Sequence, residues 1–227
     1  MDRTALYNAI QAYTENTEAD FVTNIPVFVT QAEQRIYNSV QFPSIRKNVY
    51  GQMTANNKYL QCPTDFLAVY SLAVVTDVVG SDMNTGTYEY LLNKDVNFIR
   101  QAYPTPNDTD VPKYYALFGP RSDNADELTF ILGPTPNAAY FTELHYYFYP
   151  ESITVAADGR TWLGDNFDSV LLYGSLVEAY TYMKGEQDMM ALYNGKYQEA
   201  LALAKRLGDG MERQDAYRSG QFRQRVT

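Results

Sequence analysis

The apolar residues of this chain keep a helical period at both ends and a strand period in the middle, and that double switch restricts the folds open to it. Near the start, Leu6, Ile10 and Tyr13 recur at helical spacing. A second helix follows, with Pro26 suited to its first turn, Val29, Ala32, Ile36 and Val40 on one face, and Gln31, Glu33, Gln34 and Asn38 on the other. Phe42-Pro43 stops it. From about residue 47 the apolar residues come in short runs rich in Tyr, Phe, Val and Leu, separated by Pro, Gly, Asn and Asp, which predicts antiparallel strands. One helix, with Val96, Ile99 and Tyr103 on one face, interrupts them, and the acidic stretches 105–110 and 122–127 are expected as solvated turns. After Pro150 the helical period returns. Asp165 or Asn166 is expected to cap a segment carrying Phe167, Val170, Leu171, Gly174, Val177 and Tyr180, ended by Lys184-Gly185. A last helix aligns Met190, Tyr193, Tyr197, Leu201 and Ala204 and is expected to stop at Gly208-Asp209-Gly210.

Each helical end carries an apolar stripe that needs a partner, and the other end is the nearest source of one. The pattern therefore predicts an α+β fold: a discontinuous helical bundle built from residues 1–43 and 151–210, a mostly antiparallel β-rich insertion over 44–150, and an extended tail over 211–227. With 45% hydrophobic residues in 227, the chain can bury a substantial core. It has a single cysteine, Cys62, so packing rather than an internal disulfide must hold it, which fits assembly in a reducing compartment. The start of the sequence lacks a secretory apolar run, and no stretch approaches the ~18 consecutive apolar residues of a membrane span, so a soluble protein made in the cytosol is expected.

Charge is unevenly placed. From Lys205 onward six bases face three acids, about +3, so the overall −9 leaves about −12 on residues 1–204. A body of that sign repels phosphates, and outside Arg46-Lys47 its bases are scattered singly, which argues against a nucleic-acid reader while allowing a protein that surrounds DNA without gripping it. In the tail, Arg213, Tyr217, Arg218, Phe222, Arg223 and Arg225 have the composition of a docking segment. Two aromatics cannot support an independent fold, but they can fill pockets while the arginines meet acidic or carbonyl groups at the rim.

No catalytic constellation emerges. His145 lies in the run Leu144-His145-Tyr146-Tyr147-Phe148, where a strand would set it on one face with Tyr147, without an evident sequence neighbour to orient it as a base. Cys62 and His145 together fall short of the four ligands of a closed zinc site, and Asp123-Asn124-Ala125-Asp126-Glu127 lacks the spacing and central glycine of a calcium loop. Gly195-Lys196 lacks the upstream glycine of a phosphate loop, so no cofactor or metal is expected. Glu178, inside an otherwise apolar helix, calls for a polar stripe or a partner. The 21 tyrosines divide between sheet packing, protein interfaces and, as the remaining option, stacking on sugars.

Several segments taken in order resemble the head-to-tail adaptors of short-tailed bacteriophages, the tail tubular protein A-like family. They are Ile25-Pro26-Val27-Phe28-Val29-Thr30-Gln31-Ala32-Glu33-Gln34-Arg35-Ile36, Pro63-Thr64-Asp65-Phe66-Leu67, Pro112-Lys113-Tyr114-Tyr115-Ala116, Gly133-Pro134-Thr135-Pro136 leading to Glu143-Leu144-His145-Tyr146-Tyr147, and Leu171-Leu172-Tyr173-Gly174-Ser175-Leu176-Val177-Glu178-Ala179. Together they cover roughly residues 20–205. The resemblance implies a non-enzymatic virion protein at the head–tail interface, assembled in the host cytoplasm. It implies a homo-oligomeric ring of about twelve copies that docks on the portal protein and carries the tail nozzle, while DNA passes through without specific binding. It also implies helices in the ring wall, a β-rich part toward the tail and a C-terminal segment on the portal; the lack of a membrane-length apolar stretch adds the expectation of no membrane contact. The competing expectation from the residues is a β-rich carbohydrate-binding or hydrolytic virion protein, which would need a concave tyrosine-lined site with two convergent carboxylates.

Overall fold

The computed structural model describes residues 1–40, 42–119 and 128–222, the side chains of Pro43 and of 208–222 excepted. The architecture is α+β, as the two periodicities predict. The chain divides into two units, one formed by Met1–Ile45 together with the chain from Tyr149 onward, the other by Arg46–Phe148.

In the helical unit, α1 (Arg3–Thr14) starts where the Asp2 carboxylate accepts from the Ala5 N–H at 2.8 Å, and it buries Leu6 and Ile10. Helix α2 (Ala19–Ser39) begins about two turns before Pro26, the expected first turn, and carries that proline in its interior. A proline there costs about 3 kcal/mol. Phe21, Ile25, Phe28, Val29, Ala32 and Ile36 form one buried face through it, and at roughly 1.5–3 kcal/mol for each large side chain their burial outweighs that cost.

Helix α4 (Trp162–Asn166) is capped by Thr161, whose hydroxyl accepts from the Gly164 N–H at 3.2 Å. The cap expected at Asp165 or Asn166 is not used, since both lie inside α4 and Asp165 pairs with Arg160 at 3.1 Å. Helix α5 (Asp168–Met183) packs against α1, α2 and the last helix, α6 (Gln187–Phe222), which explains its nearly all-round apolarity. It ends as read: Lys184 takes the left-handed conformation and the Gly185 N–H reaches back to the Tyr180 carbonyl at 3.0 Å. A Cβ on Gly174 would lie 3.2 Å from both the Ala32 Cβ and the Tyr197 ring, so this glycine lets α2 and α6 close on α5.

Helix α6 departs from expectation. It does not stop at Gly208-Asp209-Gly210, and the segment from 211 to Phe222, expected as an extended tail, continues its backbone. Each glycine costs a helix only about 1 kcal/mol relative to alanine, and a glycine ends a helix only where it adopts the left-handed turn that satisfies the last carbonyls.

The β unit contains two four-stranded sheets. The first is β1 (Arg46–Gln52), β10 (Phe141–Tyr147), β3 (Ala68–Thr76) and β4 (Thr87–Tyr90), in that spatial order and antiparallel throughout. The second is β2 (Tyr59–Gln61), β8 (Thr129–Gly133), β7 (Tyr114–Phe118) and β5 (Leu92–Asn93). Leu72, Val74, Leu144 and Tyr146 of the first sheet share one core with Tyr115, Phe130 and Leu132 of the second. The alternate residues of the second sheet, Ala116 and Ile131, pack instead with Ile99 of α3 (Val96–Ala102), so strand alternation serves two layers at once. Gly133 allows this packing, since a Cβ there would fall 2.9 Å from Ile99 and Tyr103. Two pairings are parallel, β5 with β7 and β6 (Thr109–Asp110) with β9 (Thr135–Pro136). Two-residue strands are too short for alternation to announce them. The turn Pro63-Thr64-Asp65-Phe66 is pinned by Asp65, which accepts from Lys47 Nζ and the Tyr146 hydroxyl, each at 2.7 Å. Burial raises the Asp65 carboxyl, but these two bonds outweigh it and hold the group below its ordinary value.

Candidate assembly surfaces

The residues expected to dock, Arg213, Tyr217, Arg218 and Phe222, fall on the last turns of α6, and their side chains lie outside what the structure describes; Arg223 and Arg225 lie outside the described residues altogether. The described part of α6 presents a different surface. Of the stripe read from the spacing, Tyr193, Tyr197, Leu201 and Ala204 are buried and Met190 is half-buried, and Ala200 joins them. About a third of a turn away, Leu192, Leu203 and Leu207 stand 52%, 60% and 47% exposed, with the Lys196–Glu199 ion pair between them. Helix α2 shows Val27, 49% exposed, in a shallow crevice with Pro26, Thr30 and Gln31. The spacing of the buried stripe does not disclose these leucines. The signal for them was a second apolar stripe on the same helix.

Beneath these faces, polar groups tie the helices together. Arg35 and Glu178 form an ion pair between α2 and α5, and the Arg35 guanidinium lies 6.0 Å from the Tyr197 ring of α6. Glu178 is thus the partnered structural carboxylate that an apolar helix requires. Glu33 corrects the sequence reading: placed on the outward face of α2, it is 2% exposed, and its Oε1 accepts from the Ile153 N–H at 3.0 Å. Burial raises its carboxyl above the ordinary value, opposed by hydrogen bonds from Ile153 and Ser152. Its charge and, more strongly, burial also push the Tyr37 hydroxyl up. Tyr180 and Tyr193 pack with ring centroids 4.9 Å apart, and Tyr193 is pushed up to about 12 by burial, with the Tyr180 hydrogen bond adding to it.

The face of the first β sheet opposite the core it shares with the second carries several tyrosines. In register across the strands stand Asn48, His145 and Ser71, then Tyr50, Glu143, Ala73 and Tyr90. His145 Nδ1 lies 3.3 Å from the Ser71 hydroxyl and its Nε2 lies 4.0 Å from Glu143 Oε1, which accepts from Asn48 at 2.9 Å. Glu143, two residues from His145 on the same strand face, is the neighbour that the sequence reading overlooked. The relay lacks the short base-to-carboxylate hydrogen bond of a nucleophilic triad, and Glu143 is paired with Asn48 rather than set against a second carboxylate. Tyr88 is raised above its ordinary value by loss of water, with Glu143 and Tyr50 adding to it. Further along, the Arg46 guanidinium lies 4.9 Å from the Tyr70 ring and 5.7 Å from that of Tyr147. The result is a broad aromatic and polar sheet face, a geometry suited to contact with another macromolecule.

Among the described residues, no group of three or more His, Cys, Asp or Glu is placed to hold a metal ion, and no helix is long and apolar enough to cross a membrane. No curated protein matches the chain at a significant level. The family model of the SU10 adaptor protein matches residues 1–225, nearly its whole length, in agreement with the resemblance carried by the five segments above. The chain belongs to the SU10 adaptor protein family, and is a structural component of a phage virion at the head–tail junction, made to meet other head and tail proteins.

Proposed function

We propose that this adaptor forms a closed ring of about twelve copies between the portal protein and the tail nozzle, through whose lumen the genome passes. The observation that carries the reading is the family match over residues 1–225, joined to exposed leucines on α6 that a lone subunit leaves against water. Helical units form the wall and β units face the tail. Residues 211–227, with Arg213, Tyr217, Arg218, Phe222, Arg223 and Arg225, engage the portal. The −12 carried by residues 1–204 suits a lumen that lets phosphates slide, because a basic channel would hold DNA and slow ejection. A ring needs no tight association of free subunits, since a symmetric template raises their local concentration. Particles made without this protein are expected as filled or leaking heads without tails in negative stain; normal tailed particles would overturn the proposal.

A further inference from the structure

Resting on that reading, we infer that neighbouring copies meet through two different faces: the Leu203–Leu207 ridge of α6 on one copy seats in the Val27 crevice of α2 on the next. The two faces match in chemistry. The α6 ridge carries a base at its flank, with exposed Arg206 three residues from Leu203 and next to Leu207. The α2 face begins in an acidic turn, with exposed Glu18 and Asp20 leading to Val27. When the helices run antiparallel with Leu203 over Val27, Arg206 lies over Asn24, about 6 Å along the axis from Asp20, within reach of a long side chain. In the other direction along the contact, Glu199 and Lys196 of α6, already paired at 3.5 Å, face Gln31 and Gln34, which accept either sign. The contact is heterologous, joining two distinct patches, and such a contact propagates around a ring rather than closing as a twofold dimer.

The second copy is the occupant that this matching selects. Both patches occur once on every subunit, both pair an apolar centre with a charged flank of opposite sign, and both stand exposed among the described residues. Leu203 and Val27 are exposed, so replacing them leaves the core of the helical unit intact.

The test uses full-length protein assembled on portal-containing heads. Chains carrying both Val27→Cys and Leu203→Cys are oxidised, and are expected to give a ladder of covalent multimers that neither single variant gives; the native Cys62 is present in all three. Leu203→Glu is expected to lower the number of copies per head about tenfold or more, with the circular dichroism of the free subunit unchanged. Asp20→Lys is expected to do the same in milder form and to be restored by Arg206→Glu in the same chain. If wild-type rings are visible on the heads while the double-cysteine chain gives no ladder and Leu203→Glu fills the ring normally, other faces meet and this inference fails with the ring reading intact. A Leu203→Cys chain that cross-links to a different head or tail protein overturns it in favour of that partner. If wild-type protein forms no ring on heads, the ring reading fails and the inference with it.

Discussion

Glu33 and Glu178 lie on helices that pack together, and their surroundings give them opposite fates. Glu178 meets a guanidinium, whereas Glu33 is buried on a backbone N–H, with a carboxyl raised from its ordinary 4.5. A raised carboxyl contributes stability that is complete below its unfolded value and is lost as pH climbs through the folded one. Glu33→Gln keeps an oxygen for the Ile153 N–H but does not titrate. Its melting temperature is therefore expected to change less than that of the wild type between about pH 5 and about pH 8, and to equal or exceed it at the upper end. An unchanged slope in a thermal melt would show that Glu33 carries no such linkage. Period alone could not disclose this residue, because the group that satisfies it belongs to the Ser152–Ile153 loop, 120 positions away. Glu178 was legible, because its neighbours in the same helix left it no apolar environment to accept.

At the scale of elements, the helices were legible where burial agrees with propensity and misread where one overrides the other. Pro26 marks a first turn in a sequence read locally, but the apolar face from Phe21 to Ile36 carries the helix through it. Gly208 and Gly210 mark a stop in the same way, yet α6 continues to Phe222. The close approach at Gly174 gives a direct check: Gly174→Leu would force atoms into Ala32 and Tyr197 and is expected to cost about 1–3 kcal/mol in denaturant unfolding. Full wild-type stability would mean that α2 and α6 do not close on α5 there. Deleting residues 211–227 is expected to leave the melting temperature of the free subunit nearly unchanged and to abolish attachment to portal-containing heads. Docking with wild-type affinity would put the portal contact on the helical body instead.

For the whole molecule, the two period changes, at about residue 47 and after Pro150, lie close to the borders between the two units at 45/46 and 148/149. Strands β1 and β10 hold Arg46 beside Tyr147, so the β unit begins and ends at neighbouring positions in one sheet. That arrangement suits an insertion into a helical host, and excised Arg46–Phe148 is expected to unfold in its own cooperative transition, followed by near-ultraviolet tyrosine signals. Failure to fold alone would tie it to the helical ends. The tyrosine-bearing sheet face was harder to read, because the alternation names the strands but not which strands become neighbours, and the order β1-β10-β3-β4 brings together residues almost a hundred positions apart. The central claim, a ring adaptor at the head–tail junction, is tested most directly by cryo-electron microscopy of the native particle. It predicts a closed ring of this chain directly below the portal, with α6 of each copy against α2 of the next, and density for this protein anywhere else in the particle, or in no ring, would contradict it.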